Sequence, residues 1–161
     1  AQLLRTADDF RDPERRANTK ATLSRLLNEP RVVPIVNQND TVAFRDYCVG
    51  DNDMLAVRVA ELIGAKKLVI FSSIDGLYRP GDMGGEIIRQ VDDIEKVFGY
   101  AEDVKDKMSM GGMQAKLKAV KRAVDAGIET CIANGRAPER LEEILAGSGL
   151  CTRFKPSKTK A

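Results

Sequence analysis

The sequence predicts an α/β fold in which a mainly parallel sheet is covered by helices on both faces. Short apolar runs recur at 31–36 (RVVPIV), 67–71 (KLVIF) and 128–133 (IETCIA), each the length of a buried strand and too short for a helix. Stretches with apolar residues at helical spacing lie between them, and cap or stop residues such as Asp12, Gly64 and Gly127 separate the two kinds. Strands that alternate with helices pair in parallel, because each helix carries the chain back across the sheet.

The elements follow in order. Asp12-Pro13-Glu14 supplies a cap, a first-turn proline and an acid, and apolar Ala17, Ala21, Leu23, Leu26 and Leu27 continue the helix. The run at 31–36 reads as a buried strand in which Pro34 marks a kink or an edge position. A polar stretch covers 37–50. Asp51 can then cap a helix carrying Leu55, Val59, Leu62 and Ile63, which Gly64 ends. The second strand spans 67–71 and stops at Ser72-Ser73. Residues 79–85 have turn chemistry, and 86–91 suits a strand. A helix is expected from Gly111-Gly112 to Asp125, then the third strand at 128–133, a loop at 134–137, a helix at 138–145 and a closing strand at 149–154.

Composition excludes several classes of function. At 161 residues, 43% hydrophobic and 31% charged, the chain suits one soluble domain with a real core. No apolar run approaches the roughly 20 residues that span a bilayer, and no charged-then-apolar leader opens the chain. Cys48, Cys131 and Cys151 lie far apart without CxxC spacing, which argues against a disulfide framework or a thiolate zinc site and suits the cytoplasm. Histidine is absent, so histidine-based triads and histidine metal ligands are excluded, and no protein metal site is expected. Catalysis would fall to lysines, carboxylates, amides and backbone dipoles. The net charge of +2 includes Arg153, Lys155, Lys158 and Lys160 in an acid-free last ten residues. That pattern suits a near-neutral body (1–154) with a short basic tail (155–161), not a nucleic-acid-binding face.

The carboxyl ends of the strands hold the unusual residues, Asn37 to Asp40, Ser72 to Tyr78 and Asn134 to Arg136, and three clusters along the chain can carry chemistry. Asn37, Asn39 and Asp40 follow the first run, and Asp51, Asn52 and Asp53 begin the next helix. They fit either a polar small-molecule pocket with an anion at the helix N-terminus, or ordinary capping and Asx-turn chemistry. Ser72, Ser73, Asp75, Gly76 and Tyr78 fit either a nucleotide edge or a strand-to-turn connection. Met110, Gly111, Gly112, Met113, Gln114, Ala115 and Lys116 put two glycines ahead of a helix and a lysine inside it. That lysine can neutralise a transferring phosphoryl group or be one solvated cation among Lys118, Lys121 and Arg122. Neither Walker A nor GxGxxG spacing is present.

Together VVPIVNQND, GDNDMLAVRVAELIGA, IDGLY, GGMQAKLKAVKRAVDAGI and IANGR resemble the glutamate 5-kinase branch of the amino acid kinase family, in order and over nearly the whole chain. The resemblance implies an αβα sandwich, a partial amino acid kinase fold, lacking the family's first strand, its glycine loop with a phosphate-binding lysine, and a serine loop. It implies transfer of the γ-phosphate of ATP, with Mg²⁺, to the side-chain carboxylate of glutamate, the first step towards proline, in a homo-oligomer acting on neither nucleic acid nor membrane. Carried over by position, Asp40 and Asn52 match glutamate-binding residues with Asn37 beside them. Asp53 matches the aspartate that organises the active-site lysines, and Lys116 the lysine of the nucleotide loop. Ser72, Ser73, Gly76, Tyr78 and the loop from Met110 to Lys116 match the ATP side. Ser72-Ser73 replaces the common Thr-Asp, and Met110 replaces a threonine. The rival readings are another kinase of the same fold acting on a carbamate, aspartate or nucleoside monophosphate, and an inactive ligand-binding or assembly fragment.

Overall fold

A computed structural model describes residues 1–39, 41, 51–82, 84–101 and 107–156, and of residues 51, 101 and 107–111 the backbone only. The chain runs β1 (Gln2–Arg5), α1 (Asp8–Arg11), α2 (Pro13–Asn28), β2 (Ile35–Gln38), α3 (Asp51–Ile63), β3 (Lys67–Ser72), β4 (Gln90–Val91), α4 (Glu95–Phe98), α5 (Lys107–Asp125), β5 (Glu129–Asn134), α6 (Leu141–Ala146) and β6 (Cys151–Phe154). Short 3₁₀ turns at Gly99–Ala101 and Pro138–Arg140 precede α5 and α6.

Sequence chemistry explains several boundaries. The Asp12 carboxylate accepts the Arg15 N–H at 2.8 Å and caps α2. Gly64 and Gly127 sit at φ +69° and +82°, a left-handed conformation that stops α3 and α5 at little cost for a residue without Cβ. The strand expected at 31–36 is β2 and lies later, at Ile35–Gln38. Arg31 has φ +66° and Pro34 lacks an N–H, so the ladder begins after both, where Ile35 pairs with Gln2. The strand expected at 86–91 shrinks to Gln90–Val91, with one isolated bridge between Tyr78 and Ile87. The last long helix begins at Lys107, so Gly111 and Gly112 are helical residues and not a loop before a helix. Helix-forming Met, Gln, Ala, Lys and Leu neighbours offset the roughly 1 kcal/mol that each helical glycine costs.

The described strands form two sheets, β1-β2 and β3-β5-β6-β4. Pairing is parallel for β1–β2, β3–β5 and β4–β6, and antiparallel for β5–β6. The four-stranded sheet is covered on both faces, as its near-continuously buried β5 requires. On one face Ile70, Ile132 and Phe154 pack against Leu117, Val120 and Val124 of α5. On the other, Val69, Cys131, Ala133 and Cys151 pack under Ile144 of α6. The β1–β2 pair packs Leu3 and Val36 against Leu23 of α2 and Val59 and Leu62 of α3. Its other face leaves Leu4 and Ile35 exposed. In α2 only Leu23 is buried among the apolar positions expected to be, with Leu26 partly so.

Helices α3 and α5 pack through small residues. Val57 and Ala60 meet Ala119 and Ala123, the last two fully buried. Two ion pairs span the same seam, Asp53–Lys116 and a two-pronged Glu61–Arg122 with N–O distances of 2.8 and 2.7 Å. Alanine at 119 sets how closely the helices approach, so Ala119→Leu is expected to destabilise the chain by about 1–3 kcal/mol through overpacking. Urea unfolding would measure this; an unchanged midpoint would remove the seam as a constraint.

Candidate functional site

Chemistry-bearing residues gather where β2, β3 and β5 end and where α3 begins. Asn134, the last residue of β5, joins two loops. Its Nδ2 donates to Asp75 Oδ1 at 2.9 Å, and its Oδ1 accepts the Arg136 N–H at 2.9 Å. The Gly135 N–H donates to the Ser72 carbonyl at 2.8 Å. The edge expected to face a nucleotide is thus a hydrogen-bonded double loop. Ser72 is half-buried within it and Ser73 is exposed.

Gly76 has a packing role of its own. A Cβ there would lie 2.5 Å from Thr152 Oγ1 and 3.0 Å from Thr152 N. The same hydroxyl accepts the Leu77 N–H at 2.7 Å in a buried hydrogen bond. The loop therefore lies flat on β6, and only glycine fits. Tyr78 follows, half-buried and bridged to Ile87.

The seam contributes the charged group. Lys116 Nζ lies 2.8 Å from Asp53 Oδ2, with the two side chains only 20% and 17% exposed. Asp53 sits in the first turn of α3 and Lys116 midway along α5. Partial burial makes this pair more than a surface contact, since shielding from water strengthens it and gives the ammonium one defined place. Gln114 and Ala115 are half-buried, and Met113 packs against the core beneath α5. Met110 and Gly111 lie on the same helix, where only their backbone is described.

Asn37 and Asn52 come together at one cavity of about 490 Å³ between β2, α3 and β3. Leu55, Val59, Ala60 and Leu68 make its walls largely apolar, and the polar side chains along it are the two amides and Lys67, whose ammonium donates to the Leu145 carbonyl at 2.9 Å. Both are exposed, and Asn37 Oδ1 accepts the Gln38 N–H at 2.9 Å. Asp40 lies outside the described residues.

Two features escaped the sequence reading. Arg5, at the end of β1, accepts the Asn39 N–H on its carbonyl at 2.9 Å, and its buried Nε has no hydrogen-bond partner. Its Nη1 donates to the Leu4 carbonyl at 3.1 Å, so the guanidinium is only partly satisfied. Only recognition of β1 could have found it, and QLLR carries too short a pattern. The Asn134–Asp75 bond was equally hidden, because both residues stood out at strand ends but nothing in the sequence pairs them. Among the described residues no group of three or more Cys, Asp or Glu is arranged to hold a metal ion.

The chain matches the amino acid kinase family over residues 1–134 and belongs to it. The chain is similar to glutamate 5-kinases throughout its length. It is 38% identical to that of Myxococcus xanthus, the match covering 99% of this chain and 43% of that protein. It is 39% identical to that of Caldanaerobacter subterraneus, over 98% and 43% of the two. The enzyme of Rhodopseudomonas palustris is 41% identical, over 95% of this chain and 41% of that protein. The chain spans less than half the length of these relatives.

The tight seat of Gly76 gives a direct test. Gly76→Ala is expected to destabilise the chain by about 1–3 kcal/mol by pushing 72–78 away from β6. Thermal unfolding reads the loss; a wild-type midpoint would show that the loop can lift without cost.

Proposed function

We propose that this chain is the acceptor-and-lysine portion of a glutamate 5-kinase, which transfers the γ-phosphate of ATP to the side-chain carboxylate of glutamate and releases glutamyl 5-phosphate and ADP, the first step towards proline. The observation that carries this reading is the half-buried Lys116–Asp53 pair, in a chain whose relatives of that name match it from end to end.

In-line phosphoryl transfer asks a protein mainly for positioning and charge neutralisation. The glutamate carboxylate is ionised at neutral pH and attacks without a general base, consistent with a chain that has no histidine. Lys116 meets the charge on the transferring group, and Asp53 keeps its ammonium in place between turnovers. Asn52 at the start of α3 takes the substrate α-carboxylate, Asp40 its ammonium, and Asn37 lines the pocket beside them. Ser72, Ser73, Gly76 and Tyr78 border the nucleotide on one side, and the α5 stretch from Met110 to Lys116 on the other. Mg²⁺ would arrive bound to the nucleotide phosphates, its usual partners, and would offset their charge there. The same reading makes the enzyme a cytoplasmic homo-oligomer that acts on a small molecule and on neither nucleic acid nor membrane. Among the described residues no helix is long and apolar enough to cross a membrane.

Hydroxylamine trapping in the protein that carries this chain tests the reaction. With ATP and Mg²⁺, a hydroxamate should form with glutamate and not with aspartate or N-acetylglutamate. A different acceptor would move the protein elsewhere in the family, and no product with any acceptor would favour a binding fragment. Within that assay Lys116→Ala should lower kcat by about 10²–10³-fold with little change in the KM for glutamate. Asp40→Ala should instead raise that KM by about tenfold or more. An effect of Asp40→Ala confined to ATP would exchange the two subsites.

A further inference from the structure

Cys131 and Cys151 share one face of the four-stranded sheet. In the antiparallel β5–β6 ladder Cys131 stands opposite Arg153, and Cys151 opposite Ala133, so the two cysteines are diagonal neighbours. Both are 3% exposed, and Ile144 of α6 covers them. Arg153 completes the group. Its Nη2 approaches Cys151 Sγ at 4.0 Å and donates to the Ile144 carbonyl at 3.0 Å, while Nη1 pairs with Glu129 at 2.5 Å. The guanidinium is thus fixed beside one sulfur of the pair.

We infer that Cys131 and Cys151 form an oxidisable dithiol that closes to a reversible disulfide between β5 and β6, with Cys151 as the attacking sulfur and Cys131 as the resolving one. The surroundings distinguish the two roles. Hydrogen bonding from Cys131 draws the Cys151 thiol down from its usual range, and the Arg153 and Arg89 charges add to this against the effects of burial and Glu129. That same interaction, with burial, pushes the Cys131 thiol up. A thiolate beside a guanidinium is the reactive form of cysteine.

With a peroxide as oxidant the chemistry balances. The Cys151 thiolate attacks one peroxide oxygen, the O–O bond breaks, and the departing hydroxide takes a proton to leave as water. Cys151 is then a sulfenic acid. Cys131 gives its proton to that hydroxyl as its sulfur attacks the Cys151 sulfur; the S–S bond forms, the S–O bond breaks, and a second water leaves. Two thiols are oxidised and one peroxide is reduced to two waters.

Access and reversibility also follow from the fold. The cover over the pair is α6, six residues ended by Gly147 at φ +95°, and so short an element opens locally far more easily than the domain unfolds. Diagonal neighbours have Cα atoms about 7–8 Å apart, beyond the roughly 4.4–6.8 Å that an unstrained disulfide spans. Closure therefore needs the β5–β6 backbone to shift locally, and it makes a strained bond that thiols reduce readily.

The test is peptide mapping of the full native chain after brief treatment with hydrogen peroxide. A single linked peptide joining Cys131 to Cys151, at near one per chain and lost on adding dithiothreitol, is expected. Two results would overturn the inference: both thiols remaining open to alkylation under peroxide that oxidises Cys48, or Cys151 ending as sulfinic acid with Cys131 untouched. Arg153→Gln should slow closure about tenfold while Arg153→Lys largely retains it; equal rates in all three proteins would take the guanidinium out of the chemistry.

Discussion

The close approach of α3 and α5 is the constraint on which the rest of the structure depends. Ala60, Ala119 and Ala123 remove side-chain bulk from the contact, and Val57 fills what remains. In both units three residues separate the helix from the strand that follows, α3 to β3 and α5 to β5, and a left-handed glycine lies in each connection. Helices in parallel register therefore deliver strands in parallel register, which is the Lys67–Glu129 to Ser72–Asn134 ladder. One helix contact thus sets both the sheet and the level at which its polar strand ends emerge.

The seam also decides which charges matter. Glu61–Arg122 has the better geometry, yet its arginine side chain is 45% exposed, and pairs of that kind contribute roughly 0–1 kcal/mol. Asp53–Lys116 is less exposed on both sides, so loss of either partner strands a charge in partial burial and costs more. If Lys116 meets an arriving anion, as proposed, its resident carboxylate has two effects. It holds the ammonium in one place, and it must yield when the anion binds. A lysine so held is ordered before the substrate arrives, at the expense of some affinity for the anion. That trade suits a reaction in which positioning provides most of the acceleration.

Much of this was legible in the sequence because it is local. The Asp12 cap, the glycine stops and the runs at 67–71 and 128–133 each depend on residues within a turn or two of one another. The motifs at strand ends were legible for the same reason. Features that depend on distant partners were not. Strand β1 is four residues with one buried side chain, and β2 begins where β1 meets it and not where its apolar run begins. The antiparallel direction of β6 is set by a short return through α6, which apolar content cannot report. Gly111-Gly112 looked like a loop because glycine weakens helices, but the apolar stripe of α5 against the sheet outweighs that local preference.

Gly76 shows that one glycine can have a packing reason beside a functional one. In the sequence it stands in a motif expected to border a nucleotide; in the structure β6 itself excludes a side chain there. Thr152 both crowds Gly76 and accepts the Leu77 N–H, so β6 fixes the loop whether or not a ligand is bound. Any nucleotide then meets a preformed edge, and the entropy of ordering that edge is spent in folding and not in binding. The acceptor side is built differently. Its cavity is apolar below Asn37 and Asn52, and burying an amino acid's charges among Leu55, Val59 and Leu68 would be prohibitive. On the proposed function a charged acceptor would therefore stay at the amide rim, clear of the apolar walls.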